Sequence, residues 1–322
     1  MAVALASTFT LIACLLHFAH RSLPLDHPNE RSLHSQPRPK IGGLAIMTVT
    51  LFLAALTRLN VPATAVAASA ALMLVAMIDD VRNLPASVRL ASHLAAACAL
   101  VFAVPAGNVF LAALAVATMV WMSNLYNFMD GADGLAGGMT VIGFGSLAIA
   151  ADASGATGLT IWCAIISAAA LAFLIFNFPP AWVFMGDAGA VPLGFLAGAL
   201  GYIGFINGVW PFWYPPLVFS PFILDASITL FRRLNRKEKP WIAHREHLYQ
   251  RLIVSGWSHR KLALASFVLM LAVNAGSYAA LSQPTTLQMV IIAAIVGGLA
   301  GVFLMAERYL RRRVSSQESV AG

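Results

Sequence analysis

The chain has 322 residues, 60% of them apolar and 10% charged, with a mean hydropathy of +0.80. A soluble core cannot take up that much apolar surface, so lipid has to serve as solvent. The net charge of +7, from 20 basic and 13 acidic residues, marks loops beside anionic lipid rather than a nucleic-acid partner.

Eleven apolar stretches approach the length of about 20 residues that a bilayer demands of a helix. They are 1–20, 42–57, 62–78, 89–105, 109–126, 135–151, 158–176, 189–206, 211–231, 262–281 and 286–306. The pattern predicts an all-α, polytopic membrane helical bundle with about 11 transmembrane helices. Residues 1–306 are expected to form a single integral-membrane domain, and 307–322 a basic and polar tail with a disordered end. The first stretch ends in His20-Arg21 without a basic leader or small-residue cleavage site, which reads as a retained span. Cys14, Cys98 and Cys163 fall inside spans with no paired spacing, indicating neither a disulfide framework nor a zinc site.

If residues 21–41 are cytoplasmic and the spans alternate, every Lys and Arg except Arg58 lies on the cytoplasmic side. By the positive-inside rule this puts the N-terminus outside and the C-terminus in the cytoplasm. Polar motifs far apart in sequence then gather at one face.

In chain order, the basic segment Arg31–Gly43 comes first, with Pro37, Pro39, Gly42 and Gly43 as punctuation. Asp79-Asp80 close the third span; two adjacent carboxylates at a helix C-terminus oppose the helix dipole and favour a nearby cation or shared proton. Arg89, where the fourth span begins, is suited to hold a phosphate. Asn124, Asn127, Asp130 and Asp133 recur at three-residue intervals and are expected on one helical face, with Gly131 and Gly134 allowing close backbone approach. Asp187 sits among Gly186, Ala188 and Gly189 at the start of a helix, where small residues leave room for a metal–diphosphate complex and the helix N-terminus favours anions; a simple N-cap is its structural alternative. Asp225 lies within the ninth span without an assigned role. His244, Arg245 and His247 fall in the long basic loop, where a His/Arg group can hold phosphate oxygens or sugar hydroxyls. Their His-x-x-His spacing also suits zinc, a reading disfavoured by the hard carboxylates elsewhere. His17 and His20 read as interfacial or bundle histidines. Gly143–Ser146 reads as helix packing.

Together, the His34–Gly43 loop, Asp79-Asp80, Asn124–Gly134, Asn177–Gly189 and His244–Arg251 resemble the polyprenyl-phosphate N-acetylhexosamine-1-phosphate transferases (glycosyltransferase family 4). The resemblance implies transfer of a sugar 1-phosphate from a UDP-N-acetylhexosamine to undecaprenyl phosphate with release of UMP. It also implies Mg²⁺, with Mn²⁺ as a substitute, and a cytoplasm-facing active site in the bacterial inner membrane. By motif match, Asp79, Asp80, Asp130 and Asp133 are catalytic. Arg89, Asn124, Asn127, His244, Arg245 and His247 bind substrate, and Asp187 with Asn127 holds the metal. The His-Arg-x-His-x-Tyr-Gln form is closest to O-antigen-initiating members and lacks both the His-x-His form of the enterobacterial common-antigen initiator and the triple histidine of the peptidoglycan translocase. A homodimer is compatible with this family.

The chemistry is consistent with the residue types: a lipid phosphate attacking a diphosphate concentrates negative charge that a divalent cation and basic groups must offset. A transporter of anionic sugar phosphates is the alternative from another class, but the chain shows no internal repeat. An intramembrane aspartyl protease fits less well, since Phe184-Met185-Gly186-Asp187 lacks the first glycine of a Gly-x-Gly-Asp motif.

Overall fold

The computed structural model describes residues 1–18, 23–26, 28, 33, 36–57, 61–239 and 244–321, with 314–321 as backbone only. His20, Arg31, His34 and Arg58 lie outside the described residues. Among those described, the helices are α1 (Ala2–Phe18), α2 (Gly42–Leu56), α3 (Ala63–Arg82), α4 (Ala86–Ala103), α5 (Val109–Met129), α6 (Leu135–Ala153), α7 (Thr157–Asn177), α8 (Asp187–Ile206), α9 (Tyr214–Val218), α10 (Ser220–Asn235), α11 (Leu248–Val254), α12 (His259–Leu281) and α13 (Thr285–Ala321). A two-stranded antiparallel hairpin, β1 (Leu25–Asp26) with β2 (Arg38–Pro39), precedes α2 and pairs Leu25 with Pro39. The chain is an all-α polytopic membrane bundle. Helices α3 to α8, α12 and α13 are long and apolar enough to cross a bilayer, while α1 and α2 are apolar but shorter.

Ten of the expected spans coincide with single helices; the ninth does not. Residues 211–231 divide into α9 and α10 at Phe219. Three of the four prolines there, Pro215, Pro216 and Pro221, fall inside the stretch and remove backbone donors, and proline in a helix interior also clashes with the preceding turn. The Val218 carbonyl instead accepts from Asn274 Nδ2 of α12 at 3.2 Å. Below the break, α10 carries Asp225, Arg232 and Arg233 on a helix otherwise apolar on one side, so it is amphipathic rather than a uniform span. At the far end, α13 continues helical to Ala321, where the sequence suggested a disordered tail.

Helix α8 is the hub. Every residue from Ala188 to Gly204 is buried, and α8 packs against α2, α3, α5 and α6. Its glycines allow this. A Cβ on Gly189 would overlap Gly43 of α2, one on Gly194 would overlap the Met122 carbonyl of α5, and one on Gly198 would lie 3.0 Å from Met119 Cα. In lipid, where apolar burial no longer drives helices together, such close backbone approach supplies much of the packing energy.

Helix ends are set locally. Asn108 caps α5 by accepting from Leu111 N at 2.8 Å, and Ser258 caps α12 through Lys261 N at 3.2 Å. Asn83 ends α3 in the left-handed region, at φ +48°. Gly134 and Gly186, at φ +78° and +73°, turn the chain into α6 and α8 without the strain a side chain would bring. Because successive long helices alternate in direction, the C-terminal ends of α3, α5 and α10 and the N-terminal ends of α4 and α8 meet at one end of the bundle.

A backbone stitch closes that end. Phe184 N donates to Pro39 O at 2.9 Å, Gly42 N to Phe184 O at 3.0 Å, and Gly43 N to Met185 O at 2.9 Å. The hairpin loop and the segment leading into Asp187 are thus held in one register.

Candidate active site

A cavity of about 470 Å³ opens where these ends meet. Asp79, Arg89, Asn124, Asn127, Asp187, His244 and His247 all line it, brought from α3, α4, α5, α8 and the loop before α11. Of the other residues expected from sequence, Asp80, Asp130, Asp133 and Arg245 stand outside the lining.

Asp79 is buried on the last turn of α3. Its Oδ1 accepts from Leu84 N at 2.6 Å, and its Oδ2 accepts from Arg89 Nη1 at 3.0 Å. The negative charge at a helix C-terminus is therefore offset by the following helix's arginine, which itself stays half-exposed to the cavity. Asp80 points elsewhere, with a carboxylate oxygen 4.0 Å from Lys40 Nζ, and Lys40 is also 3.1 Å from Asp26. Burial alone would depress the Lys40 ammonium, but Asp26, Asp80 and Asp187 outweigh it and hold its pKa above the ordinary value. Lys40 and Asp26 were not singled out by sequence reasoning. Their signal was the placement of Lys40 two residues before Gly42-Gly43.

The Asn124–Asp133 run does not share one helical face. Helix α5 stops at Met129, leaving Asp130 as its C-cap and Asp133 in the turn beyond. Asn124 and Asn127 remain on α5. The Asn124 amide touches the ring of His93 at 3.2 Å, and the Asn127 amide hydrogen-bonds the Asp187 carboxylate. Asp130 accepts from Gly186 N at 3.1 Å. Its pKa is pushed up to about 8, first by burial and then by the Asp187 carboxylate, against the opposing pull of the Gly186 N–H and Lys40. Asp133 braces the turn: it accepts from Ala181 N at 3.0 Å and faces His259 Nδ1 at 3.3 Å. Buried Asn177 joins the same layer, with its Oδ1 accepting from Gly134 N and its Nδ2 donating to Val183 O, each at 2.9 Å.

Asp187 is the first residue of α8, and Gly186, not Asp187, holds the N-cap position. Its charge therefore faces the positive end of the most buried helix.

His247 stacks between Phe128 and Tyr249, with ring centroids 6.0 and 5.9 Å away, and the His244 ring lies 4.9 Å from it. Tyr249 OH donates to Phe128 O at 2.9 Å, tying this loop to α5. Asp225, without a role from sequence, accepts from Leu248 N at 2.8 Å and Tyr249 N at 3.2 Å.

Among the described residues, no three His, Cys, Asp or Glu side chains converge into a complete metal cage. A Mg²⁺ site does not need one, because this ion normally takes one or two carboxylates and completes its octahedron with phosphate and water. Asp187 lies close enough to Asp130 to oppose its ionisation, and the Asn127 amide joins Asp187. Asp187 and Asn127, both lining the open cavity, fit a Mg²⁺ completed by substrate, with Asp130 beside Asp187 outside the lining.

A second, apolar groove of about 420 Å³ runs between α10, α12 and α13. Leu224, Val268, Leu269, Leu299 and Phe303 line it. Asp225 and Tyr249 line it too, and Tyr249 also lines the polar cavity.

Residues 62–205 match the model of Glycosyl transferase family 4. The chain is 30% identical over 268 residues to a Bacillus subtilis (strain 168) protein named "Probable undecaprenyl-phosphate N-acetylglucosaminyl 1-phosphate transferase", covering 76% of this chain and 74% of that one. It is 26% identical over 291 residues to the undecaprenyl-phosphate alpha-N-acetylglucosaminyl 1-phosphate transferase of Escherichia coli O157:H7, covering 80% and 77%. It is 29% identical over 290 residues to the decaprenyl-phosphate N-acetylglucosaminephosphotransferase of Mycolicibacterium smegmatis, covering 75% and 71%.

Proposed function

Since the chain belongs to glycosyl transferase family 4, among the polyprenyl-phosphate hexosamine-1-phosphate transferases, we propose that it moves an N-acetylhexosamine 1-phosphate from a UDP-sugar to undecaprenyl phosphate. The observation that carries this reading is the shared wall at Tyr249: a polar cavity suited to a nucleotide sugar abuts an apolar groove suited to an isoprenoid chain. A transporter would require a path through the bundle; here α8, buried along nearly its whole length, fills the centre.

In the proposed reaction, a phosphate oxygen of the lipid attacks the β-phosphorus of the donor. The bond from that phosphorus to the bridging oxygen breaks, and UMP departs with the electron pair. Arg89 draws the acceptor phosphate to the mouth of the cavity, and Asp79 fixes the guanidinium that does so. Asp80 is set against Lys40, whose ammonium offsets charge beside Asp187. Asn127 and Asp187, with Asp130 behind them, would hold Mg²⁺. When bound, that ion would neutralise charge on the diphosphate. Asp133 keeps the Asp130 turn in place. His244, His247 and the adjoining Arg245 present donors and a stacking surface to the sugar nucleotide.

The relatives' names carry N-acetylglucosamine, which makes UDP-N-acetylglucosamine the first donor to test. The His-Arg-x-His-x-Tyr-Gln pattern supports an O-antigen-type glycan as the destination, and the basic residues crowding this end of the bundle support a cytoplasm-facing site in the bacterial inner membrane.

The test uses purified protein, undecaprenyl phosphate, Mg²⁺ and a panel of UDP-N-acetylhexosamines, following lipid product and UMP together. The expected result is stoichiometric lipid diphosphosugar and UMP, with labelled UMP returning into UDP-sugar because one phosphoanhydride replaces another. Uptake of intact sugar phosphate into proteoliposomes, with neither lipid product nor UMP exchange, would overturn the reading in favour of transport.

A further inference from the structure

Helix α11 has only seven residues, too few to hold its own shape. Yet it follows directly on His244 and His247, whose placement the cavity depends on. Two carboxylates from other helices grip it. At its N-terminal end, Asp225 of α10 accepts from Leu248 N and Tyr249 N with its two oxygens, and Oδ1 faces His247 Nδ1 at 3.5 Å. At its C-terminal end, Arg251 donates to both oxygens of Glu307 on α13, Nη1 at 2.6 Å and Nη2 at 3.1 Å, while Arg232 of α10 donates to the same Oε1 at 2.6 Å. Both acids are buried, 6% and 7% exposed.

Burying a carboxylate is costly unless it is paired and hydrogen-bonded. Glu307 is the single acid in the stretch 285–313 and stands just before a run of arginines. A lipid anchor has no use for it there. A bidentate partner for Arg251 does.

We propose that Asp225 and Glu307 are positioning residues for the donor site: they clamp α11 from opposite ends, so that the C-terminal helix α13 sets how His244 and His247 face the cavity. This rests on the reading of that loop as the donor-binding loop. Neither acid lines the polar cavity, although Asp225 also lines the apolar groove. Breaking the clamp should loosen α11 and weaken donor binding while leaving the acceptor side, around Arg89 and Asp79, unchanged.

The experiment takes the full chain in detergent with Glu307→Gln, Glu307→Asp and Asp225→Asn, and reads two quantities. Hydrogen exchange reports the amides of residues 247–254. Steady-state kinetics reports KM for UDP-N-acetylglucosamine and for undecaprenyl phosphate separately. Glu307→Gln and Asp225→Asn should speed exchange across α11 and raise donor KM about tenfold or more, since truncating one member of a buried charged pair is expensive. In Glu307→Gln, which changes no residue lining either site, acceptor KM should rise much less than donor KM; Asp225→Asn, which also alters the apolar groove, is judged on exchange and donor KM. Glu307→Asp, which keeps the charge, should recover much of both losses. If Glu307→Gln fails to fold, Arg251→Lys, which keeps a cation but loses the fork, gives the same two readouts. Unchanged α11 exchange in the folded variants would overturn the clamp, as would equal losses for donor and acceptor in Glu307→Gln. Should wild-type protein transfer no sugar at all, the functional reading fails, and the exchange data still decide whether the clamp exists.

Discussion

Arg89 on α4 and Asp79 on α3 are joined at 3.0 Å across the tight turn between their helices, with the acid buried and the arginine half-open to the cavity. The buried partner aims the exposed one.

This pair makes a prediction about which substrate suffers. Arg89→Gln should raise the KM for undecaprenyl phosphate more than that for the UDP-sugar, with Arg89→Lys in between because an ammonium lacks the planar fork. Asp79→Asn should lower kcat/KM by about 10²-fold, the scale seen when one preorganised electrostatic group is lost. Steady-state kinetics in both substrates checks it. Near-wild-type rates for Asp79→Asn would remove the pair from the mechanism.

Asp130 ties metal affinity to pH. A carboxyl pushed up to about 8 is mostly protonated in the empty site at neutral pH. A divalent cation favours the ionised form, so binding should expel about one proton at pH 7, and affinity should climb from pH 6 to about 8 before levelling. Calorimetric Mg²⁺ titrations in buffers of different ionisation heat measure the release, which Asp130→Asn should largely abolish. The same shift has a sign for stability. Because the folded-state value is raised, the contribution is fully present below the ordinary carboxylate range and is lost as pH rises through about 8. Metal-free protein should therefore melt at lower temperature at pH 8.5 than at pH 6, and the gap should narrow in Asp130→Asn.

Asn177 is a structural keystone for the acidic turn. Asn177→Ala would strand the Gly134 N–H and the Val183 carbonyl in the interior, at about 1–3 kcal/mol for each buried group left unmade. Asn177→Asp keeps the acceptor for Gly134 but buries a carboxylate with an oxygen facing the Val183 carbonyl, which is costly as well. Thermal melting in detergent should place both variants below wild type. Equal midpoints for all three would refute the role.

Gly43 has no space for a side chain. A Cβ there would stand 2.6 Å from Gly189 N and 2.7 Å from the Met185 carbonyl, both backbone atoms that cannot swing aside. Gly43→Ala should cost about 1–3 kcal/mol, the usual range for overpacking, and should also lower activity by moving the first turn of α8 with Asp187 on it. Melting and kcat measured on one preparation test both halves. A stable, fully active Gly43→Ala protein would contradict this contact.

Much of this was legible in the sequence because bilayer length and apolar runs are strong signals. The helical bundle with most of its long apolar helices, the gathering of Asp79, Arg89, Asn124, Asn127 and Asp187, and the family itself followed from residues alone. The failures have physical causes. Apolar content hid the three prolines that split 211–231, because a hydropathy run does not register a missing N–H. Three-residue spacing extended α5 through Asp130 and Asp133, although Gly131 and Gly134 favoured a turn. Lys40, Asp225 and Glu307 each look like an isolated charge in one dimension, and their partners lie 14 to 75 residues away along the chain.

The break at Phe219 bears on how the protein is made. A ribosome-bound chain that has emitted residues 211–235 offers the insertion machinery no uninterrupted apolar helix, only a five-residue turn and an amphipathic rod ending in two arginines. The carbonyl freed at Val218 finds its partner on Asn274, 56 residues further along and not yet synthesised. That stretch should therefore settle only when α12 arrives to complete it. Membrane entry of this segment is expected to be a late, cooperative event rather than one more step in a sequential threading. Chains cut short before residue 274 should leave it accessible to proteases or aqueous labels, even when every earlier helix is in place.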